Sequence, residues 1–159
     1  MPFMRFAFNT SLSAEQVAGR LAVITSIEPS WWPPRNDSPA TFFGAVGDRS
    51  FKLRRNITYR NSFLPTIHGV VVDDVAETRV KVTMSLHPFV AVFLLVWFAL
   101  IGVFIEKLIA SNEFAWTGPA AVPVGMGVFA IALTIGAFFP EACIAKRIIM
   151  TTLKAKALP

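Results

Sequence analysis

Two long stretches without a charged residue constrain the fold of this chain more than any other feature. They cover residues 88–105 and 120–139. At about 1.5 Å per residue the first stretch forms a helix of about 27 Å, close to the roughly 30 Å hydrocarbon core of a bilayer. The rest of the 159-residue chain is too small to surround such a helix. Both stretches are therefore predicted to be transmembrane helices.

The distribution of positive charge predicts the orientation of these helices. Of the 15 Lys and Arg residues, one, Lys107, lies between the two stretches. Cytoplasmic flanks carry an excess of Lys and Arg, so both termini are expected in the cytoplasm and residues 106–119 outside. The first residues contain no apolar run typical of a signal peptide, and the single cysteine, Cys143, fits a reducing compartment.

Three regions follow from this division. Residues 1–86 are predicted to form a cytoplasmic domain, and residues 87–140 a transmembrane hairpin with spans 88–105 and 120–139 and an external loop 106–119. Residues 141–159 are predicted to form a basic amphipathic cytoplasmic tail after a break at Pro140. This tail either lies on the membrane or packs back onto the N-terminal domain.

The N-terminal region has the pattern of an α+β domain. Met4, Phe6 and Phe8 alternate with other residues as in a half-buried strand, and Ser13 with Gln16 forms the pattern of a helix capping box. Strand-like runs follow at 41–46, 50–59, 66–72 and 78–86. The predicted order is a strand, a helix and a four-stranded antiparallel meander. The loop 29–39 carries Trp31 and Trp32, which either dip into the membrane interface or cap the core.

The segment 59–65, Tyr-Arg-Asn-Ser-Phe-Leu-Pro, is the most distinctive part of this region. One interpretation is a functional polar cluster of Tyr59, Arg60 and Asn61 at the end of a strand. The other is a turn or bulge, in which Asn61 bonds the local backbone while the following apolar residues fill the core. The sequence leaves both open.

Two further groups of residues share a face by their spacing. Lys52, Arg54, Arg79 and Lys81 occupy the polar phase of two predicted strands and form either a binding face for anionic lipid or an ordinary solvated face. Small residues recur in the second span at Ala121, Gly125, Ala132 and Gly136. Because membrane helices associate through small-residue faces, this stripe is expected to contact the first span or a second copy of the chain.

The sequence contains no recognisable catalytic or cofactor-binding pattern. His68, His87 and Cys143 are too few to form a metal site without distant carboxylates, since zinc takes three or four protein ligands. No glycine-rich phosphate loop or nucleophile motif is present. We therefore expect no enzymatic activity, no metal and no cofactor. Basic flanks of a membrane protein account for the net charge of +5, so nucleic acid is not an expected partner.

The runs Phe43-Gly44, residues 51–53, residues 55–69 and residues 80–90 are similar to those of a group of small uncharacterised bacterial membrane proteins. The similarity covers roughly residues 42–105, with Tyr-Arg-Asn-Ser-Phe-Leu-Pro as its most specific part. The resemblance implies a domain ahead of a two-helix membrane hairpin and a location in the bacterial cytoplasmic membrane. It implies no activity.

These features favour a membrane-anchored interaction or sensing module that is not an enzyme. Its expected partners are the lipid bilayer, including anionic lipids, and either a second copy of the chain or another membrane protein. The alternative is an oligomeric pore or membrane-perturbing effector built from the two helices. Neither span carries an intramembrane charge, which disfavours an ion pathway.

Overall fold

The computed structural model describes residues 3–27, 39–73, 77–111, 118 and 120–156. The predictions for Trp31 and Trp32, and for most of the external loop 106–119, fall outside these residues. The described elements follow one another in this order: β1 (Phe3–Thr10), α1 (Ala14–Val23), β2 (Thr25–Ser26), β3 (Phe42–Val46), β4 (Ser50–Arg55), β5 (Thr66–Asp73), β6 (Thr78–Ser85), α2 (Pro88–Ala110) and α3 (Ala121–Thr152).

The six strands form one mixed sheet in the order β1-β6-β5-β4-β3-β2. Strands β3 to β6 are the antiparallel meander expected from the sequence, and they confirm the α+β class. Strand β1 adds to the meander beside β6, with Phe6 opposite Val82 and Phe8 opposite Val80. The two-residue strand β2, which was not predicted, pairs in parallel with β3. The alternating apolar residues of β1, β4, β5 and β6 lie on the inner face of the sheet.

Helix α1 is fixed at its start by the predicted capping box. The Ser13 hydroxyl accepts a hydrogen bond from the Gln16 amide, and the Gln16 side chain accepts one from the Ser13 amide. These two bonds satisfy backbone donors that have no partner within the helix. Val17 and Leu21 point into the core and are fully buried, so the helix covers one part of the inner sheet face.

One glycine in the sheet is required by a close side-chain contact. Gly69 of β5 lies directly opposite Phe51 of β4, and the Phe51 ring lies against the glycine backbone on the inner face. A Cβ atom at position 69 would lie 1.9 Å from Cζ of that ring. Only glycine therefore leaves room for Phe51 to enter the core at this point.

Helices α2 and α3 are both long and apolar enough to cross a membrane. Helix α2 starts directly after the sheet: His87 caps it by accepting a hydrogen bond from the Phe89 amide, and Pro88 occupies the first turn, where no amide donor is needed. Its 23 residues extend about 35 Å at about 1.5 Å per residue. Most of its large apolar side chains are exposed.

Helix α3 continues through Pro140 without a break. The predicted break at Pro140 is therefore wrong, and the helix runs on to Thr152. Its second half packs on the inner face of the sheet instead of lying free. The residues that α3 and its end contribute to the core are Phe138, Ala142, Ala145, Ile149 and Leu153.

The core of the domain thus consists of residues from both ends of the chain. Arg20 of α1 donates a hydrogen bond to the Thr152 carbonyl, and the Thr10 hydroxyl donates one of 2.6 Å to the Leu153 carbonyl. The boundary predicted at residue 86 separates the sheet from the helix that completes its core. Of the two positions left open for the tail, the structure has the one in which it packs on the N-terminal domain. Ile144 is exposed. The buried side of this segment therefore does not contain all of the apolar residues of the predicted amphipathic helix.

Candidate functional site

A buried ion pair joins the sheet to α3 just beyond Pro140. Arg55, the last residue of β4, donates a hydrogen bond from Nη1 to Oε2 of Glu141. The side chain of Glu141 is 5% exposed and that of Arg55 is 17% exposed. A carboxylate removed from water to this extent is stable only when it is paired and hydrogen-bonded. The pair therefore ties α3 to one end of the sheet.

Tyr59 completes the coordination of the same carboxylate. Its hydroxyl donates a hydrogen bond to Oε1 of Glu141, so both carboxylate oxygens have a partner. The hydrogen bond to Glu141 is the main cause that raises the pKa of the Tyr59 phenol above its usual value of 10.0. The phenol therefore keeps its proton at neutral pH and remains a donor. The Arg55 Nε atom is buried and has no hydrogen-bond partner among the described residues.

Asn61 makes a second connection between the segment 59–63 and α3. Its side-chain amide donates a 3.0 Å hydrogen bond to the Ala137 carbonyl, and its Oδ1 accepts a 2.9 Å bond from the Phe63 amide. The local bond is the one expected for a turn, whereas the bond to α3 is long-range. Pro140 has no amide hydrogen, so the carbonyl of Gly136 loses its donor within α3. Asn61 bonds the neighbouring carbonyl, that of Ala137.

The three residues of the predicted cluster, Tyr59, Arg60 and Asn61, do not form one group in the structure. Strand β4 ends at Arg55, so the three residues lie in a connection and not on a strand. Tyr59 and Asn61 bind α3, whereas Arg60 is exposed to solvent. Leu64 is buried, as the turn interpretation expected.

A cavity of about 450 Å³ lies between the segment 59–63 and α3. Leu133, Gly136, Ala137 and Pro140 form its apolar wall, and Arg60 lies in the opposite wall. Glu141 also lines the cavity. This cavity therefore combines an exposed guanidinium with an apolar helix surface.

The four basic residues predicted to share a sheet face do so in the structure. Lys52, Arg79 and Lys81 are exposed on the outer face, and Arg54 is half-buried there. They do not lie at one end of the sheet, however. Arg54 lies at the end of the sheet where β6 finishes, since it pairs with Thr66, which pairs with Ser85. Arg79 lies six residues before Ser85 in β6, about 20 Å from that end at roughly 3.3 Å per residue. The outer face is thus a basic surface that extends away from α2.

The small-residue stripe does not face the first span. Its four members are exposed on α3: Ala121, Gly125, Ala132 and Gly136. The side of α3 that contacts α2 contains Gly127, where a Cβ atom would lie 3.9 Å from side-chain atoms of Phe98 and Ile101. Of the two contacts expected for the stripe, the structure does not have the one with α2. Contact with a second copy of the chain stays a prediction.

Sequence reasoning missed the central role of Glu141 and Arg55. One signal for Glu141 was available, since it is the first charged residue after the uncharged stretch 120–139. A carboxylate at that position needs a partner if the helix continues. The partner itself, 86 residues earlier in the chain, has no signature in the sequence.

The described part of the chain contains no group of three or more His, Cys, Asp or Glu side chains placed to hold a metal ion. Comparison of the chain with protein-family models, with curated proteins and with solved structures gives no match.

Proposed function

We propose that the chain is a membrane-anchored module that binds or senses a partner and has no enzymatic activity. The continuity of α3 is the observation that carries this proposal. One helix provides an apolar segment that is able to span a bilayer and, together with Leu153 at its C-cap, five residues of the domain core. A change in the tilt or environment of the span is then transmitted to the sheet without a flexible joint.

In this proposal the protein is a two-span protein of a bacterial cytoplasmic membrane with both termini in the cytoplasm. The positive-inside rule supports this orientation, because 15 Lys and Arg residues are present and only Lys107 lies between the apolar stretches. The ion pair of Arg55 and Glu141 then lies at the cytoplasmic boundary of the bilayer. A reporter active only outside the cytoplasm should be active at residue 112 and silent after Pro159.

The outer sheet face is then a surface for a cytoplasmic partner more than for the bilayer. Helix α3 crosses the inner face from Arg55 at one end to Thr10 at the other, so the strands rise away from the membrane. Arg79 lies well beyond the roughly 8 Å Debye length from the leaflet, and lipid charge is largely screened there. A contribution of this face to anionic lipid binding would be restricted to the end near Arg54.

The proposed partner contact is tested by crosslinking and purification from native membranes. The exposed cations Lys52, Arg79 and Lys81 are changed together to Glu, and the wild type and the variant are compared. We expect a protein partner that is captured with the wild type and lost with the variant, while both chains stay in the membrane after carbonate extraction. Identical capture by the two chains would contradict the role of the outer face.

A second function, an oligomeric pore, is supported by one observation. The stripe Ala121, Gly125, Ala132 and Gly136 faces outward and is available to another copy. Ion flux through liposomes that contain the purified protein separates the two functions. The proposed binding module predicts no flux above that of empty liposomes, and a steady conductance would instead establish the pore.

A further inference from the structure

We propose that the cavity between the segment 59–63 and α3 binds the headgroup of one phospholipid. In this arrangement the lipid phosphate pairs with Arg60, and the acyl chains lie along the surface of α3 at Leu133 and Gly136. The inference rests on the membrane insertion proposed above, because that insertion places the cavity at the level of the lipid headgroups.

The charges that line the cavity favour an anionic group at Arg60. A guanidinium matches the geometry of a phosphate with two parallel hydrogen bonds. Arg55, the other cation close by, is paired with Glu141. Glu141 is the acidic residue in the cavity lining, and its two oxygens are held by Arg55 and Tyr59. Its negative charge is thus compensated, and it opposes a bound phosphate only weakly.

The apolar wall distinguishes a lipid from a free phosphate ion. Leu133 is 46% exposed, and nothing lies within 4 Å of the position that a Cβ atom of Gly136 would take. This surface continues the apolar segment of α3, so an acyl chain follows it directly. The volume of about 450 Å³ falls within the roughly 300–1,000 Å³ of small-molecule sites.

The same wall contains a backbone carbonyl that Pro140 leaves without its usual donor. Because proline has no amide hydrogen, the carbonyl four residues earlier, that of Gly136, loses its donor within the helix. A headgroup with an ammonium or hydroxyl group, such as phosphatidylethanolamine or phosphatidylglycerol, supplies a donor to this carbonyl while its phosphate contacts Arg60. Phosphatidylcholine carries no such donor and should bind more weakly.

The test is a titration of the purified full-length protein with phosphatidylglycerol, followed by native mass spectrometry. Arg60→Gln removes the guanidinium, and Lys52→Gln is the matched control because it makes the same charge change on the outer sheet face. We expect Arg60→Gln to weaken lipid binding about tenfold, as a lost charge-assisted hydrogen bond does, and Lys52→Gln to leave the affinity unchanged. Gly136→Leu should also weaken binding, although it alters no charge.

Two results would overturn the inference. If Arg60→Gln and Lys52→Gln bind phosphatidylglycerol equally well, the contact is not specific to the cavity. If inorganic phosphate binds as tightly as phosphatidylglycerol, the apolar wall contributes nothing, and the site takes the free ion and not the headgroup. Carbonate extraction of each variant separates these outcomes from a failure of the proposed function, since a protein released from the membrane would disprove the insertion itself. An unchanged Tm for Arg60→Gln shows that the domain is intact.

Discussion

Removal of the Arg55 side chain should destabilise the protein strongly. In Arg55→Met the Glu141 carboxylate, whose side chain is 5% exposed, keeps one partner among the described residues, the Tyr59 hydroxyl. Breaking a buried ion pair in this way costs about 3–5 kcal/mol. For a chain of 159 residues, each kcal/mol lowers Tm by about 2–4 °C, so the expected decrease is about 6–20 °C.

The ion pair of Arg49 and Asp73 provides the matched control. Its N–O distance is 3.1 Å, but its side chains are 70% and 42% exposed. Exposed pairs contribute about 0–1 kcal/mol, so Arg49→Met should lower Tm by at most about 4 °C. Thermal unfolding of the two variants in one detergent, followed by circular dichroism, measures the difference.

A double variant tests the cause of the effect. Arg55→Met combined with Glu141→Met removes both charges and leaves apolar side chains of similar length in the buried site. Replacement of a whole buried pair by apolar residues is often neutral or stabilising, so the double variant should regain much of the lost Tm. If Arg55→Met and Arg49→Met lower Tm equally, or if the double variant is the least stable, burial of the pair does not determine its contribution.

Three further changes probe other parts of the structure. Gly127→Leu should disrupt the packing of α2 on α3, seen as lower Tm in detergent, whereas Gly125→Leu should leave the hairpin intact because nothing lies within 4 Å of its added Cβ. Gly69→Ala should destabilise the sheet by about 1–3 kcal/mol through overpacking, and an unchanged denaturation midpoint would contradict the close ring contact. The hydrogen bond from Lys156 lowers the pKa of Glu77 below 4.5. This pair therefore stabilises the fold above pH 4.5 and less as pH falls through the lowered pKa, so the Tm difference between wild type and Lys156→Met should vanish in acid.

Local patterns in the sequence were sufficient for most of the secondary structure. Alternating apolar residues indicate a strand with one buried face, because successive side chains of a strand point to opposite faces. Ser13 and Gln16 mark the start of α1 through short-range hydrogen bonds. The uncharged stretches predict α2 and the first half of α3 for an equally local reason. These local features were enough to predict the fold class. The same alternation explains why Lys52 and Lys81 lie on the outer face.

Contacts between distant segments could not be predicted from the same patterns. The position of β1 beside β6 depends on which sheet edge is free, and no local signal marks it. Pro140 normally ends a helix, but here the second half of α3 packs on the sheet, and Asn61 bonds the Ala137 carbonyl next to the one that the proline leaves without a donor. The small-residue stripe left two contacts open, the first span or a second copy, because spacing identifies a face of α3 without showing what that face contacts. The pairing of Glu141 with Arg55 depends on all of these distant contacts.

Because α3 continues through Pro140, the number of residues within this helix is constrained. Each residue turns an α-helix by about 100°. The number of residues between the two halves of α3 therefore fixes the angle between the exposed apolar side of the first half and the buried side of the second. One residue inserted at position 130 would rotate Ala142 and Ala145 out of the core if the span kept its place in the membrane. Seven inserted residues, close to two full turns, would restore the angle. Insertions of about two full turns in this helix should therefore preserve the fold, whereas insertions of intermediate length should destabilise it.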